Sequence, residues 1–526
     1  MNRNDILSSL KTTSPTALIV GGGINGVGTF RDLALQGVNV LLVERGDFCS
    51  GASAASSRMA HGGIRYLENG EFRLVREAVQ ERNRMIQNAP RLVKPLPTTI
   101  PIFKLFSGLL NAPLKFLGWL EKPSERGALV IKIGLIFYDA FTGKSRAVPR
   151  HVFEPHRKAL RCFPRLNPTI RYAATYYDGL ILSPERLTLQ LVLDAEAEGP
   201  HARALNYVSL IGVDGKTVTL RDETNLQTFN LQPKLIINAA GPWIDGANRT
   251  LGLQTRYIGG TKGSHLVLDN PELRAAIGDH EFFFENKDGR IVLIFPLFDK
   301  VMIGTSDISI EDPDSARCTE EEIDYFLEMV GRVFPDIKVT REQIVFRFSG
   351  VRPLAYTQAR NAGQITRDHH IQEDKLEDIP VYSLVGGKWT SFRAFSEQAA
   401  DRTLAFLGLT RKADTKSLPI GAGKNAEALI STADFTRDDI AEMAESEKII
   451  HLDDLLLRRT LLGYLGLLTG PRVEQMADWL GDTLGWPETQ KKAEVKRLAE
   501  ILADRHGLVL PALAARPGSE VEGVRL

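Results

Sequence analysis

A glycine cluster, Gly21-Gly22-Gly23-Ile24-Asn25-Gly26, comes directly after the apolar run Thr16 to Val20. Gly21, Gly23 and Gly26 occupy the three glycine places of a GxGxxG turn. The first permits a tight strand-to-helix turn and the second lets backbone approach a pyrophosphate. The third lets the helix pack closely on its sheet. The pattern predicts a helix over 27–35, its positive end aimed at phosphate, with Gly37 closing it and a second strand over 38–43. Glu44 ends that strand, where a carboxylate accepts hydrogen bonds from an adenosine ribose. Strand, glycines, helix, strand and acid, in that order, define a dinucleotide-binding unit.

The residues after this acid favour FAD over NAD. Arg45-Gly46-Asp47-Phe48 leads into Ser50 to Ser57, where small and hydroxyl residues, Ser56 and Ser57 among them, suit backbone passing beside phosphates and a ribityl chain. His61-Gly62-Gly63-Ile64-Arg65-Tyr66 then brings a histidine, an arginine and a tyrosine near the isoalloxazine. A strand over 234–238 ends in Ala239-Ala240-Gly241-Pro242-Trp243, and small residues at a strand's carboxyl end admit a flat cofactor. Another, over 381–385, ends in Gly386-Gly387-Lys388-Trp389-Thr390-Ser391 before a helix over 392–407. Amides at that helix start are placed to stabilise negative charge at flavin N1 and O2.

On these residues the chain resembles the FAD-dependent, aerobic-type glycerol-3-phosphate dehydrogenase family. The blocks that carry the resemblance run from GGGINGVGTFRDLALQGVNVLLVERGDF (21–48) and HGGIRYLENGEFRLVREAVQER (61–82) through NAAGPW (238–243), KGSHLVLD (262–269) and GTSD (304–307) to SGVRPL (349–354), ITRDH (365–369) and GGKWTSFR (386–393). The resemblance implies an α/β fold: a Rossmann-type FAD-binding domain, an antiparallel β-sheet substrate (cap) domain and a C-terminal helical domain. It implies oxidation of sn-glycerol 3-phosphate to dihydroxyacetone phosphate by hydride transfer to flavin N5, with a quinone as electron acceptor. It also implies that Arg65, Arg352, Arg367 and Lys388 face the substrate beside the flavin.

Several cations are needed to hold a phosphomonoester, and arginine forks match phosphate oxygens in a way lysine does not. Arg352 lies between a predicted strand over 345–348 and Pro353, which stops the strand. Arg65, Tyr66, Arg367 and Lys388 complete the candidate set. Removing a hydroxyl proton calls for a base of pKa near 7, which points to histidine. His265, after a glycine-rich turn, is placed on the pocket rim, and His61 is the alternative. An oxidase passing electrons to oxygen, a dehydrogenase of another polyol phosphate such as erythritol phosphate, and a flavin-bearing scaffold without turnover remain open.

The length calls for more than one core. The FAD-binding domain is expected from 14–96, 178–255 and 345–410, the cap from 97–177 and 256–344, the helical domain from 411–510, and a flexible tail from 511–526. Lysine plus arginine (65) equals aspartate plus glutamate (65), so no global field attracts nucleic acid. Cys49, Cys162 and Cys318 have no CxxC spacing, which fits a reducing compartment and no structural zinc. No run reaches the length of a transmembrane helix. Between Ile102 and Lys122, however, Lys104, Ser107, Asn111, Lys115 and Lys122 make a narrow polar stripe beside a broad apolar face, with a break at Pro113. That pattern suits a helix lying in a lipid interface. It predicts a cytoplasmic protein held peripherally on the inner face of the membrane. A buried cap helix or an oligomer interface, as in a homodimer, is the competing reading.

Overall fold

Short runs apolar on both faces become the middle strands of a parallel sheet, because only a sheet covered on both sides can bury them. Ala17–Val20, Val40–Val43 and Leu235–Asn238 are such runs. The computed structural model describes residues 2–64, 71–105, 127–142, 147–285, 291–357, 368–421 and 433–510. Arg65, Tyr66, Arg367, most of 102–122 and the 511–526 tail lie outside the described residues. A six-stranded sheet runs in the order His370–Leu376, Ile379–Val385, Leu235–Asn238, Ala17–Val20, Val40–Val43, Ala202–Leu205. All its neighbours are parallel except the hairpin of His370–Leu376 with Ile379–Val385.

Register brings the chemistry to one edge. Val20 pairs with both Val43 and Asn238, and Asn238 pairs with Ser383. Gly21, Glu44, Ala239 and Gly386 therefore leave the sheet close together at its carboxyl end, where doubly wound sheets bind ligands. The helices Ile24–Leu35, Pro184–Glu196 and Phe392–Leu407 pack beside one another over this sheet. Their approach is close: a Cβ on Gly28 would stand 2.4 Å from Ser396 Oγ.

The second sheet has ten strands and pairs antiparallel except where Glu281–Glu285 meets Val93–Ile102. Its centre is built from Thr261–Leu268, Ile291–Leu297 and Lys300–Gly304, and the apolar character of the last two marks them as strands in the sequence itself. One expected boundary moves. Ile344–Arg352, expected among the FAD-binding segments, pairs antiparallel with Thr261–Leu268 along its length, so it is a strand of the cap sheet and the chain crosses back after Arg352. Val208–Asp214, Thr217–Asp222 and Thr228–Leu231 form a separate antiparallel meander.

Beyond residue 410 the structure is helical. Thr436 and Asp439 form the capping box their spacing predicts at the start of Arg437–Ser446. The amphipathic run Leu452 to Leu465 does not form one continuous helix. Leu452–Asp454 passes into a π-helical turn, Leu455–Arg459, that stops at Thr460. Leu456, Leu457, Leu461, Leu462 and Tyr464 are all buried, so this segment is enclosed on every side and no one-sided stripe dictates a regular helix.

Gly26 tests the sheet-edge geometry, since a Cβ there would stand 2.0 Å from the Gly21 carbonyl oxygen. Gly26→Ala is expected to destabilise the fold by about 2 kcal/mol or more, because backbone cannot yield as a side chain can. Urea unfolding measures this, and a wild-type midpoint would refute it.

Candidate active site

A cavity of about 1240 Å³ opens at the carboxyl edge of the six-stranded sheet. It exceeds the roughly 300–1,000 Å³ of ordinary small-ligand pockets, as an extended ligand requires. Gly21, Gly23, Asn25 and Glu44 line one part, and Ala240, Gly241, Gly387, Lys388 and Trp389 another. Glu44 accepts hydrogen bonds from the Gly22 N–H at 2.7 Å and the Gly46 N–H at 2.9 Å, and burial pushes its carboxyl above the usual range. Asn25 Nδ2 donates to the Gly386 carbonyl at 3.1 Å, tying the first glycine turn to the second.

Three observations fit this cavity to FAD. The Ile24–Leu35 helix starts at Gly23, which has no capping side chain, and beyond the Ile24 N–H taken by Ser53 its N-terminal dipole suits a bound anion. Asn25 Oδ1 is buried without a hydrogen-bond partner among the described residues. Gly241, at φ +57°, has open space where a Cβ would stand.

The other expected cofactor residues divide. Arg45 and Trp243 stand at the rim, the guanidinium 4.6 Å above the indole, and both bond to Asp314 of the cap. Ser50 to Ala55 line the cavity, whereas Ser56 and Ser57 turn behind it. Ser56 Oγ accepts from the Arg58 N–H, and Ser57 Oγ meets His265 Nε2 at 2.9 Å. His61, Gly62 and Gly63 are likewise not among the residues lining this cavity. The Gly62 N–H donates to Tyr138 Oη at 3.0 Å and Asp178 Oδ1 at 2.9 Å, and a Cβ on Gly62 would strike the Tyr138 ring. The His61 carbonyl accepts from Thr390 Oγ1 at 3.0 Å, which sets this segment beside the Gly386–Ser391 turn.

Phe348 carries no motif that marks it in the sequence, yet it lines the cavity, as do Ser53 of the Ser50 to Ser57 stretch and Gly350 of the SGVRPL block. Ser53 Oγ accepts from the Ile24 N–H at 3.0 Å and its carbonyl from Trp389 Nε1 at 3.0 Å.

Arg352 ends the cap strand that brings Ser349 and Gly350 to the cavity. Its guanidinium lies over Gly263, where a Cβ would stand 2.3 Å from Nη2. It donates to Thr305 Oγ1 at 2.8 Å and the Ser306 carbonyl at 3.1 Å, and pairs with Asp307 at 3.3 Å. The expectation for His265 needs correction. It is 2% exposed, stacked on Phe348 at 4.9 Å, and not on the rim, because Thr261–Leu268 is covered on both faces. Burial, with Arg352 and Arg58 nearby, pushes its pKa down to about 3.

Fold and cavity together define a flavin-dependent oxidoreductase scaffold. A sequence profile of the FAD dependent oxidoreductase family matches residues 16–387. A glycerol-3-phosphate dehydrogenase of Synechocystis sp. is 34% identical over 84% of this chain and 79% of its own length. A D-erythritol 1-phosphate dehydrogenase of Brucella abortus is 29% identical over 87% of this chain and 84% of its own. The crystal structure of a glycerol-3-phosphate dehydrogenase from Bacillus halodurans complexed with FAD superposes with a TM-score of 0.69 at 21% identity, covering 96% of this chain and 97% of that one. The chain belongs to the FAD-dependent oxidoreductase family, in the branch that holds the glycerol-3-phosphate dehydrogenases, and its cofactor is FAD.

His265 gives the site a pH signature. Its folded pKa of about 3 lies below the ordinary 6.5, so the unfolded chain takes up this proton first and stability is lost as pH falls. His265→Asn should therefore flatten the pH dependence of unfolding free energy by about 1.4 kcal/mol per unit between about pH 6 and about pH 4. Parallel slopes for variant and wild type would show that the ring is not held neutral.

Proposed function

We propose that this chain oxidises sn-glycerol 3-phosphate to dihydroxyacetone phosphate and passes the electrons to a quinone-type acceptor. Arg352 carries the reading. A guanidinium held in advance by Thr305, Ser306 and Asp307 loses little freedom when an anion docks. Lys388 lines the cavity beside Gly387 and supplies a second cation. Arg65, Tyr66 and Arg367 complete the phosphate clamp in this reading. Bound FAD supplies the hydride acceptor at N5. The chain's part is to fix the substrate and take its hydroxyl proton. That proton is assigned to His61, behind the lining but bonded to the Gly386–Ser391 turn that lines the cavity, while His265 holds Ser57.

Anaerobic mixing with sn-glycerol 3-phosphate tests this, read as loss of the oxidised flavin's visible absorbance. Rapid bleaching that fails with glycerol is expected. Arg352→Ala should lower kcat/KM by about 100-fold or more, and His61→Asn should slow bleaching by a similar factor. Wild-type rates in both variants would remove these roles. Faster bleaching by D-erythritol 1-phosphate would move the substrate toward that of the Brucella abortus relative.

We also propose that the protein docks on a membrane surface. Among the described residues no helix is long and apolar enough to cross one. The Ala128–Thr142 helix nonetheless exposes Leu129, Ile133, Ile136 and Phe137, with Phe72 edge-on to Phe137 at 6.3 Å. An outward apolar patch of this kind suits insertion at the headgroup boundary. Wild-type protein should sediment with anionic vesicles, and the double variant Ile136→Asp, Phe137→Asp should stay in the supernatant. Wild-type protein that ignores vesicles ends the proposal.

A further inference from the structure

The family profile stops at residue 387, and the helices Arg437–Ser446, Gly470–Leu484 and Glu488–His506 lie beyond it. Yet Asp453, Leu457, Arg458 and Arg497 line the same cavity as Gly21 and Glu44. The join is Asp47, three residues past Glu44 on the loop that leaves the Val40–Val43 strand. Its carboxylate is fully buried and accepts from Arg458 Nε at 2.6 Å, Arg459 Nη1 at 2.5 Å, Arg459 Nη2 at 3.0 Å and Asn206 Nδ2 at 2.9 Å.

The two arginines are consecutive. In a regular α-helix, with 3.6 residues per turn, neighbouring side chains diverge by about 100°. These two converge on one carboxylate from the π-helical turn Leu455–Arg459, a rare geometry that recurs at functional sites. Arg458 also pairs with Asp453 and Asp454, and Arg497 with Asp453, so three guanidiniums meet three buried carboxylates. Asp454 holds the same loop a second way. It accepts from Tyr207 Oη at 2.6 Å, and the Tyr207 N–H donates to the Gly46 carbonyl at 2.8 Å.

An ion cluster that only glued domains together could sit anywhere on their interface. This one grips Gly46 and Asp47, and the Gly46 N–H is one of the two donors that fix the Glu44 carboxylate. We propose that the helical domain is a latch over the adenosine end of the FAD site, held shut by Asp47 between Arg458 and Arg459, so that FAD enters and leaves only when this contact opens. The proposal rests on the assignment of the cavity to FAD.

The test measures FAD uptake and release by flavin fluorescence on the full chain, as holoprotein and after removal of the cofactor. Asp47→Asn keeps the shape and removes the charge. Arg459→Lys keeps the charge and removes the fork, which covers the case in which Asp47→Asn does not fold. A latch requires both uptake and release to quicken by about tenfold or more, since the same opening serves both directions. Faster release with unchanged uptake would mean an ordinary binding contact and overturn the latch. Unchanged rates with a lowered melting temperature would mean a purely structural cluster and overturn it equally. A wild-type chain that binds no FAD would instead remove the cavity assignment, a separate failure.

Discussion

Backbone meets backbone at the start of the Ile24–Leu35 helix, and the site is arranged around that contact. With Gly26 bare against the Gly21 carbonyl, and Gly21 bare against Ala239, the helix start and two strand ends can share one edge. Asn25 then reaches the Gly386 carbonyl, and its amide fills the space a Cβ on Gly387 would need. Each glycine is thus required by a neighbour that an earlier glycine admitted. The cavity that results presents amides at a helix start whose N-cap residue, Gly23, has no side chain, groups suited to phosphate before any charged side chain is considered.

Charge enters mostly from behind. Arg82 is fully buried and donates to Tyr138 Oη at 2.8 Å and the Tyr177 carbonyl at 2.6 Å, while Tyr138 donates to Asp178. Burying ions costs several kcal/mol each unless partners are complete. Here the partners also include the Gly62 N–H, so the cost is offset by fixing the His61–Gly63 segment. Tyr138 sits on the helix whose outer residues Ile133, Ile136 and Phe137 face solvent. One helix therefore serves the interior with its hydroxyl and the exterior with its apolar face.

The dinucleotide site was legible because its signal is local. Glycine spacing, a strand period and a terminal acid all fall within one strand-helix-strand unit, and Gly21, Gly23, Asn25 and Glu44 line the cavity as that unit requires. Apolar runs such as Lys300–Gly304 gave the cap strands for the same reason. The features that stayed hidden depend on distant partners. His265 reads as a rim residue until a second layer covers both faces of its strand. Asp47 carries no signal of its own in the sequence, since its arginine partners stand more than four hundred positions away. Ile344–Arg352 has the strand pattern of either sheet, and only its pairing with Thr261–Leu268 decides between them.

The order in which the chain visits its two large sheets has a consequence for how it assembles. It lays Ala17–Val20 and Val40–Val43 in one sheet and Met59–Ala60, Val93–Ile102 and Tyr172–Ile181 in the other. It then returns for Ala202–Leu205 and Leu235–Asn238, leaves again for Thr261–Leu268 through Ile344–Arg352, and comes back for the closing hairpin. Neither sheet can be completed before the other has received most of its strands. Strand pairings this distant in sequence cost loop-closure entropy and slow assembly. The helices after residue 433 are contiguous in sequence and stand outside that alternation. Among the described residues they join the sheets through side-chain packing and buried ion pairs and not through strand pairing.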